Sequence, residues 1–142
     1  VVLRPDYLLL ALSKAKDGRM TPVQVQKAMF LLEQEALPHI KTPFYTFVPY
    51  NYGPFCPDIY QDLKNMEFKG QVISDKTANI VIYSITKSGL DKADGIAKNV
   101  DPLVNTYTGQ VVDWVKSQSF SGLLQAIYKK YPDYAVNSVF NK

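Results

Sequence analysis

With 142 residues, 46% of them apolar and 20% charged, the chain suits one compact domain whose core needs no metal or disulfide staple. Its net charge of +3 falls short of the concentrated basicity of a protein held mainly by phosphate contacts, and no stretch is long and apolar enough to cross a bilayer. The lone Cys56 and lone His39 exclude an internal disulfide and a clustered zinc ligand set, so no metal and no cofactor is expected, and a reducing cytoplasm is the expected location.

The opening residues Val1-Val2-Leu3-Arg4-Pro5-Asp6 lack the layout of a signal peptide and carry no initiator methionine, which leaves room for residues ahead of Val1. Pro5 and Asp6 then open a first helix with Leu8, Ala11, Leu12 and Ala15 as its buried stripe. Asp17-Gly18 stops it. Thr21-Pro22, an N-cap followed by proline at the first helical position, starts a second helix whose apolar face is Val25, Ala28, Met29, Leu32 and Ala36. Gln24, Lys27 and Gln34 fall elsewhere on its wheel, and Pro38 ends it.

From Pro43 to Tyr52 the aromatic content favours extended structure, while Pro49 limits it to a short edge strand. The Gly53-Pro54 turn leads into a third helix lined by Phe55, Ile59, Leu63 and Met66 and terminated by Gly70. Gln71–Asp75 and Asn79–Ile85 read as a hairpin. A fourth helix follows, capped by Thr86 or Ser88, with Leu90, Ala93 and Ala97 inward. After Asp101-Pro102 a fifth helix carries Val104, Tyr107, Val111, Trp114 and Val115. A sixth, ending before Pro132, carries Phe120, Leu123, Leu124, Ile127, Tyr128 and Tyr131, and the tail 133–142 forms one more turn or frays. The expected fold is mainly α with a small β-hairpin: a winged-helix-like core over about 6–97 with additional C-terminal helices over about 102–142, all in one domain.

Three segments carry a resemblance to a known family. Val25-Gln26-Lys27-Ala28-Met29-Phe30-Leu31-Leu32, the aromatic run from Phe47 to Phe55 ending in Tyr-Gly-Pro, and Ile85-Thr86-Lys87-Ser88-Gly89 together resemble the Panacea domain of SocA-like, phage-associated proteins and the related YwgA-like proteins. Leu124 to Pro132 is similar to the tyrosine-rich helix ending in proline of YwgA-like members, whereas Val25 stands where the family has leucine. The resemblance implies a winged-helix-like core, no known catalytic activity, and antitoxin or adaptor roles exerted through protein contacts.

The candidate partner-binding residues are Gln26, Lys27, Tyr50, Tyr52, Gly53, Pro54 and Tyr60. Gln26 and Lys27 either face a partner, anchor the aromatic loop by hydrogen bonds, or are plain solvated helix surface. Tyr50, Tyr52, Phe55 and Tyr60 form either an exposed recognition patch or semi-buried packing, since a phenol can bury its ring and keep its hydroxyl wet. Gly53 reads as structural. In the alternative, a DNA-binding regulator, the third helix enters the groove and Lys64, Lys69 and Lys76 contact phosphates. Against this, Asp58, Asp62 and Glu67 lie on the same helix and no arginine offers a bidentate guanine contact. Arg4, Lys14, Lys16, Arg19, Lys129 and Lys130 supply further scattered basic charge. An enzyme would need Cys56 activated at a helix N-terminus, with a base that the chain does not place nearby in sequence. The expected partner is therefore a protein, for instance a toxin; nucleic acid is the alternative, no membrane partner is expected, and the oligomeric state is open.

Overall fold

The structure, a computed structural model, describes residues 1–140. It is mainly helical with a small antiparallel sheet. α1 (Arg4–Lys14) starts at Leu3, whose N–H donates to Asp6 Oδ2 at 2.8 Å. The expected stripe of Leu8, Ala11, Leu12 and Ala15 is buried, but so are Tyr7, Leu9 and Leu10. Such a helix, apolar on every side, needs neighbours on every side, and α1 packs on four other helices and a strand.

Asp17-Gly18 ends this segment, and the next two residues form β1 (Arg19–Met20), which local pattern did not reveal. α2 (Pro22–Ala36) begins at a reciprocal capping box: Gln24 N–H donates to Thr21 Oγ1 at 3.3 Å, and Thr21 N–H donates to Gln24 Oε1 at 2.9 Å. A 3-10 turn over Leu37–His39 closes it at Pro38, as expected.

The aromatic segment holds more than one edge strand. β2 (Val48–Tyr50) and β3 (Gly53–Phe55) pair antiparallel around the two-residue turn Asn51-Tyr52. Gly53 has φ +87, and a Cβ there would lie 3.1 Å from the Tyr128 ring, so this corner requires glycine for conformation and for space. Pro49 faces Pro54 one step beyond the turn-closing pair Tyr50 and Gly53. That is the position at which the ladder asks no N–H of either residue, so neither proline costs a hydrogen bond.

α3 (Asp58–Phe68) buries Ile59, Leu63 and Met66 as expected, together with Asp62, and ends at Gly70 with φ +74. β4 (Val72–Asp75) and β5 (Ile82–Ile85) form the expected hairpin, and β1 joins it to give the order β1-β5-β4. Arg19 lies opposite Ser84 and Met20 opposite Tyr83.

α4 (Lys87–Ala97) is capped by Thr86, whose Oγ1 accepts from Gly89 N–H at 3.1 Å. Ala93 and Ile96 face inward, whereas Leu90, expected inside, is exposed, because the helix lies against α1 through the Gly89–Ala93–Ile96 face. α5 (Pro102–Ser117) packs on both α1 and α2, so the C-terminal helices share one buried cluster with the N-terminal part. α6 (Phe120–Lys130) starts at Ser119, whose Oγ accepts from Gly122 N–H at 3.0 Å. The tail expected to turn once or fray forms a 3-10 turn over Pro132–Ala135 and then runs on to Phe140; its last two positions, 141 and 142, lie outside the described residues.

Candidate functional site

The β2–β3 hairpin is fastened from behind by α2. Gln26 Oε1 accepts from Cys56 N–H and Gln26 Nε2 donates to the Cys56 carbonyl, both at 2.9 Å. One turn position on, Lys27 Nζ donates to the Pro54 carbonyl at 3.0 Å. In an antiparallel pair outside the hydrogen-bonded rungs, the backbone carbonyls point away from the partner strand. The Pro54 carbonyl is thus presented to α2, and Lys27 meets it. Gln26 is 1% exposed and Lys27 3% exposed. Of the readings open for this pair, anchoring of the aromatic segment is the one observed. Gln26 and Lys27 are not a partner-facing surface, and Gly53 and Pro54, also buried, leave that surface with them. Lys27 makes no ion pair among the described residues, and burial lowers its pKa to about 8.

The hairpin's other side is aromatic and half exposed. Tyr50, just before the turn, is 51% exposed, and Tyr52, its second residue, is 47% exposed. Tyr50 stacks on Phe55 at 4.9 Å between centroids, and Phe55 leads on to half-buried Tyr60 at 5.8 Å. Tyr52 meets Phe120 of α6 edge to face at 5.5 Å, and Phe120 meets Phe140 at 5.8 Å. Tyr50 and Tyr52 therefore keep a surface position, while Tyr60 backs Tyr50 through Phe55.

A second arrangement, centred on α3, was not legible in the sequence. Asp62 is buried and receives the Tyr45 hydroxyl at 2.6 Å, Arg4 Nε at 3.1 Å and Arg4 Nη2 at 3.3 Å. Asp58, one turn earlier, lies 3.5 Å from Arg4 Nη1. Burial and the neighbouring carboxylate push the Tyr45 phenol far above its ordinary pKa. Asp62 thus lies on the inner face of α3 and does not oppose a ligand of the outer face, and Arg4 is no longer free basic charge. The outer face presents Gln61, Lys64, Asn65 and Phe68, spaced three and four apart, with Lys69 beside them; Phe68 is 96% exposed. Lys76 lies at the exposed tip of the β4–β5 hairpin, and Lys64, Lys69 and Lys76 make no ion pair among the described residues.

Cys56 is buried, and burial pushes its thiol above the ordinary range, which is opposite to nucleophilic activation. His39 pairs instead with Asp101, Nδ1 to Oδ2 at 3.3 Å. A groove of 320 Å³ between α2, α5 and α6 has Leu31, Val111, Trp114 and Ile127 in its lining and the Glu35–Lys130 ion pair at its rim. Among the described residues, no helix is long and apolar enough to cross a membrane. Comparison of the chain with family models, with curated proteins and with solved structures finds no match in any of the three.

Proposed function

We propose that this chain is a non-enzymatic cytoplasmic binding protein that engages a protein partner through the outer face of the β2–β3 hairpin, as an antitoxin-like or phage-associated adaptor of the Panacea kind. The observation that carries the reading is that Tyr50 and Tyr52 are half exposed on a hairpin whose backbone is held from behind by Gln26 and Lys27. Tyrosine offers a large contact area for little lost side-chain freedom, and anchors already fixed in place lose less entropy on binding. Affinity capture from the native host tests it. Wild type is expected to retain one protein in stoichiometric amount, and Tyr50→Ala/Tyr52→Ala to lose it with an unchanged melting temperature. A wild-type protein that recovers no partner and instead binds a defined operator would sink the reading.

The alternative is a winged-helix DNA-binding regulator. Supporting it are the order α1-β1-α2 and, after the β2–β3 hairpin, α3-β4-β5 with β1 hydrogen-bonded to β5, together with the inward position of Asp62 and the exposure of Lys64, Lys69 and Lys76. On this reading a mobility shift with duplex DNA weakens steeply with salt and is abolished by charge reversal at the three lysines. Salt-independent retention, or retention by the triple reversal, counts against it.

A further inference from the structure

The outer edge of the β2–β3 hairpin is covered by the chain's own residues 137–140, and the contacts have the form of peptide recognition. Val139 N–H donates to the Asn51 carbonyl at 2.9 Å, a main-chain bond to the hairpin turn. Asn137 Nδ2 donates to the Pro49 carbonyl at 3.3 Å, the outward counterpart of the Pro54 carbonyl that Lys27 takes on the inner side. Ser138 Oγ accepts from the Tyr128 hydroxyl at 2.6 Å and donates to the Asn51 carbonyl at 3.3 Å. The Phe140 ring meets Phe120 edge to face, and Phe120 in turn meets Tyr52. The segment is thus read by two backbone carbonyls, one hydroxyl and one aromatic edge. Its apolar hold is confined to one side chain: Val136 and Val139 are 65% and 67% exposed, and Phe140 alone of the three packs against the core cluster, so the burial that opposes release is mainly that of one ring.

We propose that residues 136–140 are a displaceable strap, occupying in the free chain the site where the hairpin receives a short turn-forming peptide of its protein partner. The occupant is a segment with a small hydroxyl residue followed by an aliphatic and then an aromatic residue, because the strap itself supplies that order as Ser138, Val139 and Phe140. Main-chain pairing with the Asn51 carbonyl provides register, the Tyr128 hydroxyl selects the hydroxyl residue, and Phe120 with Tyr52 receives the ring. The strap competes with the partner by occupying the Pro49 and Asn51 carbonyls, the Tyr128 hydroxyl and the Phe120 edge until a matching peptide arrives. This inference rests on the hairpin face being the docking surface.

The test uses the full chain and a synthetic blocked peptide, Ala-Val-Asn-Ser-Val-Phe, the sequence of residues 135–140. ¹⁵N-labelled wild type and Asn137→Ala/Phe140→Ala are titrated with it to millimolar concentration. Loosening the strap is expected to raise the apparent affinity about tenfold, the gain when the open form goes from a tenth to nearly all of the population. Amide shifts should concentrate at Asn51, Tyr52 and Tyr128, and a peptide with alanine for serine and phenylalanine should not produce them. Equal affinity in the two proteins, shifts elsewhere, or no shifts in a variant that keeps its melting transition overturns the strap. If the variant loses that transition, hydrogen exchange of wild type decides. The Val139 amide should then exchange about a hundredfold faster than that of Tyr131, bonded to the Ile127 carbonyl at the end of α6, and equal protection overturns the proposal. Peptide binding without any captured host protein would retain the strap and remove the adaptor reading; capture without peptide binding would do the reverse.

Discussion

Lys27 Nζ lies 3.0 Å from the carbonyl oxygen of Pro54, and among the described residues this is the one hydrogen bond that receives the buried ammonium. An isolated charge in such a place is costly, and the group responds by releasing its proton more easily, with a pKa lowered from 10.5 to about 8. In the unfolded chain the same lysine keeps its proton to higher pH. The unfolded state therefore binds more protons between the two values, and stability rises with pH across that window.

From about pH 7 to about pH 9.5, wild type should gain roughly 2 kcal/mol over Lys27→Met, which cannot titrate. Urea unfolding of the two proteins at each pH measures the difference directly. A constant gap across the range would mean that Lys27 keeps its proton in the folded state.

Gln26 bonds both backbone groups of Cys56, so Gln26→Ala leaves the buried N–H without its partner, while the carbonyl keeps only the longer bond from Ile59 N–H at 3.3 Å. The expected loss is about 2 kcal/mol in urea unfolding. Gln26→Glu should recover less than half of it, since an ionised carboxylate accepts from the N–H but has nothing to donate to the carbonyl.

Asp62 is the acceptor for both Tyr45 and Arg4. Asp62→Ala strands a buried phenol and removes the nearer counter-charge of Arg4, leaving it Asp58 alone, and should cost about 3 kcal/mol. Tyr45→Phe removes one donor and leaves Arg4 paired, so about 1 kcal/mol is expected. Thermal or urea unfolding that ranks the two variants the other way would contradict the network.

Two glycines of one helix should behave oppositely. A Cβ on Gly89 would lie 2.3 Å from the Gln71 carbonyl oxygen, and that carbonyl also accepts from Thr86 N–H at 3.0 Å, so Gly89→Ala must push α4 off the start of β4. A loss of about 3 kcal/mol is expected. Gly95 has open space around it, and Gly95→Ala should stabilise the helix by roughly 0.5–1 kcal/mol. Melting temperatures of the pair check both signs.

The buried Cys56 thiol should react with a disulfide reagent only after the chain opens, at a rate about a hundredfold or more below that of the urea-unfolded protein. Labelling of the native protein at the unfolded rate would reopen a chemical role for this residue.

Much of the architecture was legible because it is written in local terms. Thr21-Pro22 announces α2, Asp101-Pro102 announces α5, and Gly70 ends α3, each through a backbone group that must be capped or a torsion that must be free. The candidate site was legible in part. Its aromatic content and the hydrogen-bonding groups of Gln26 and Lys27 could be read from the residues, but the side each residue faces could not.

The amino-acid sequence by itself determined six helices, the β4–β5 hairpin and a glycine at the corner of the aromatic segment, because periodicity, caps and turns depend on neighbours a few residues apart. Only the tertiary structure decided that Lys27 and Asp62 turn inward, that β1 joins β5, and that Pro49 and Pro54 face each other with carbonyls pointing opposite ways. A polar residue is solvated unless something distant covers it and accepts its protons. Pro54 stands 27 residues from Lys27, Asp62 stands 58 from Arg4, and no local pattern carries the position of such a partner.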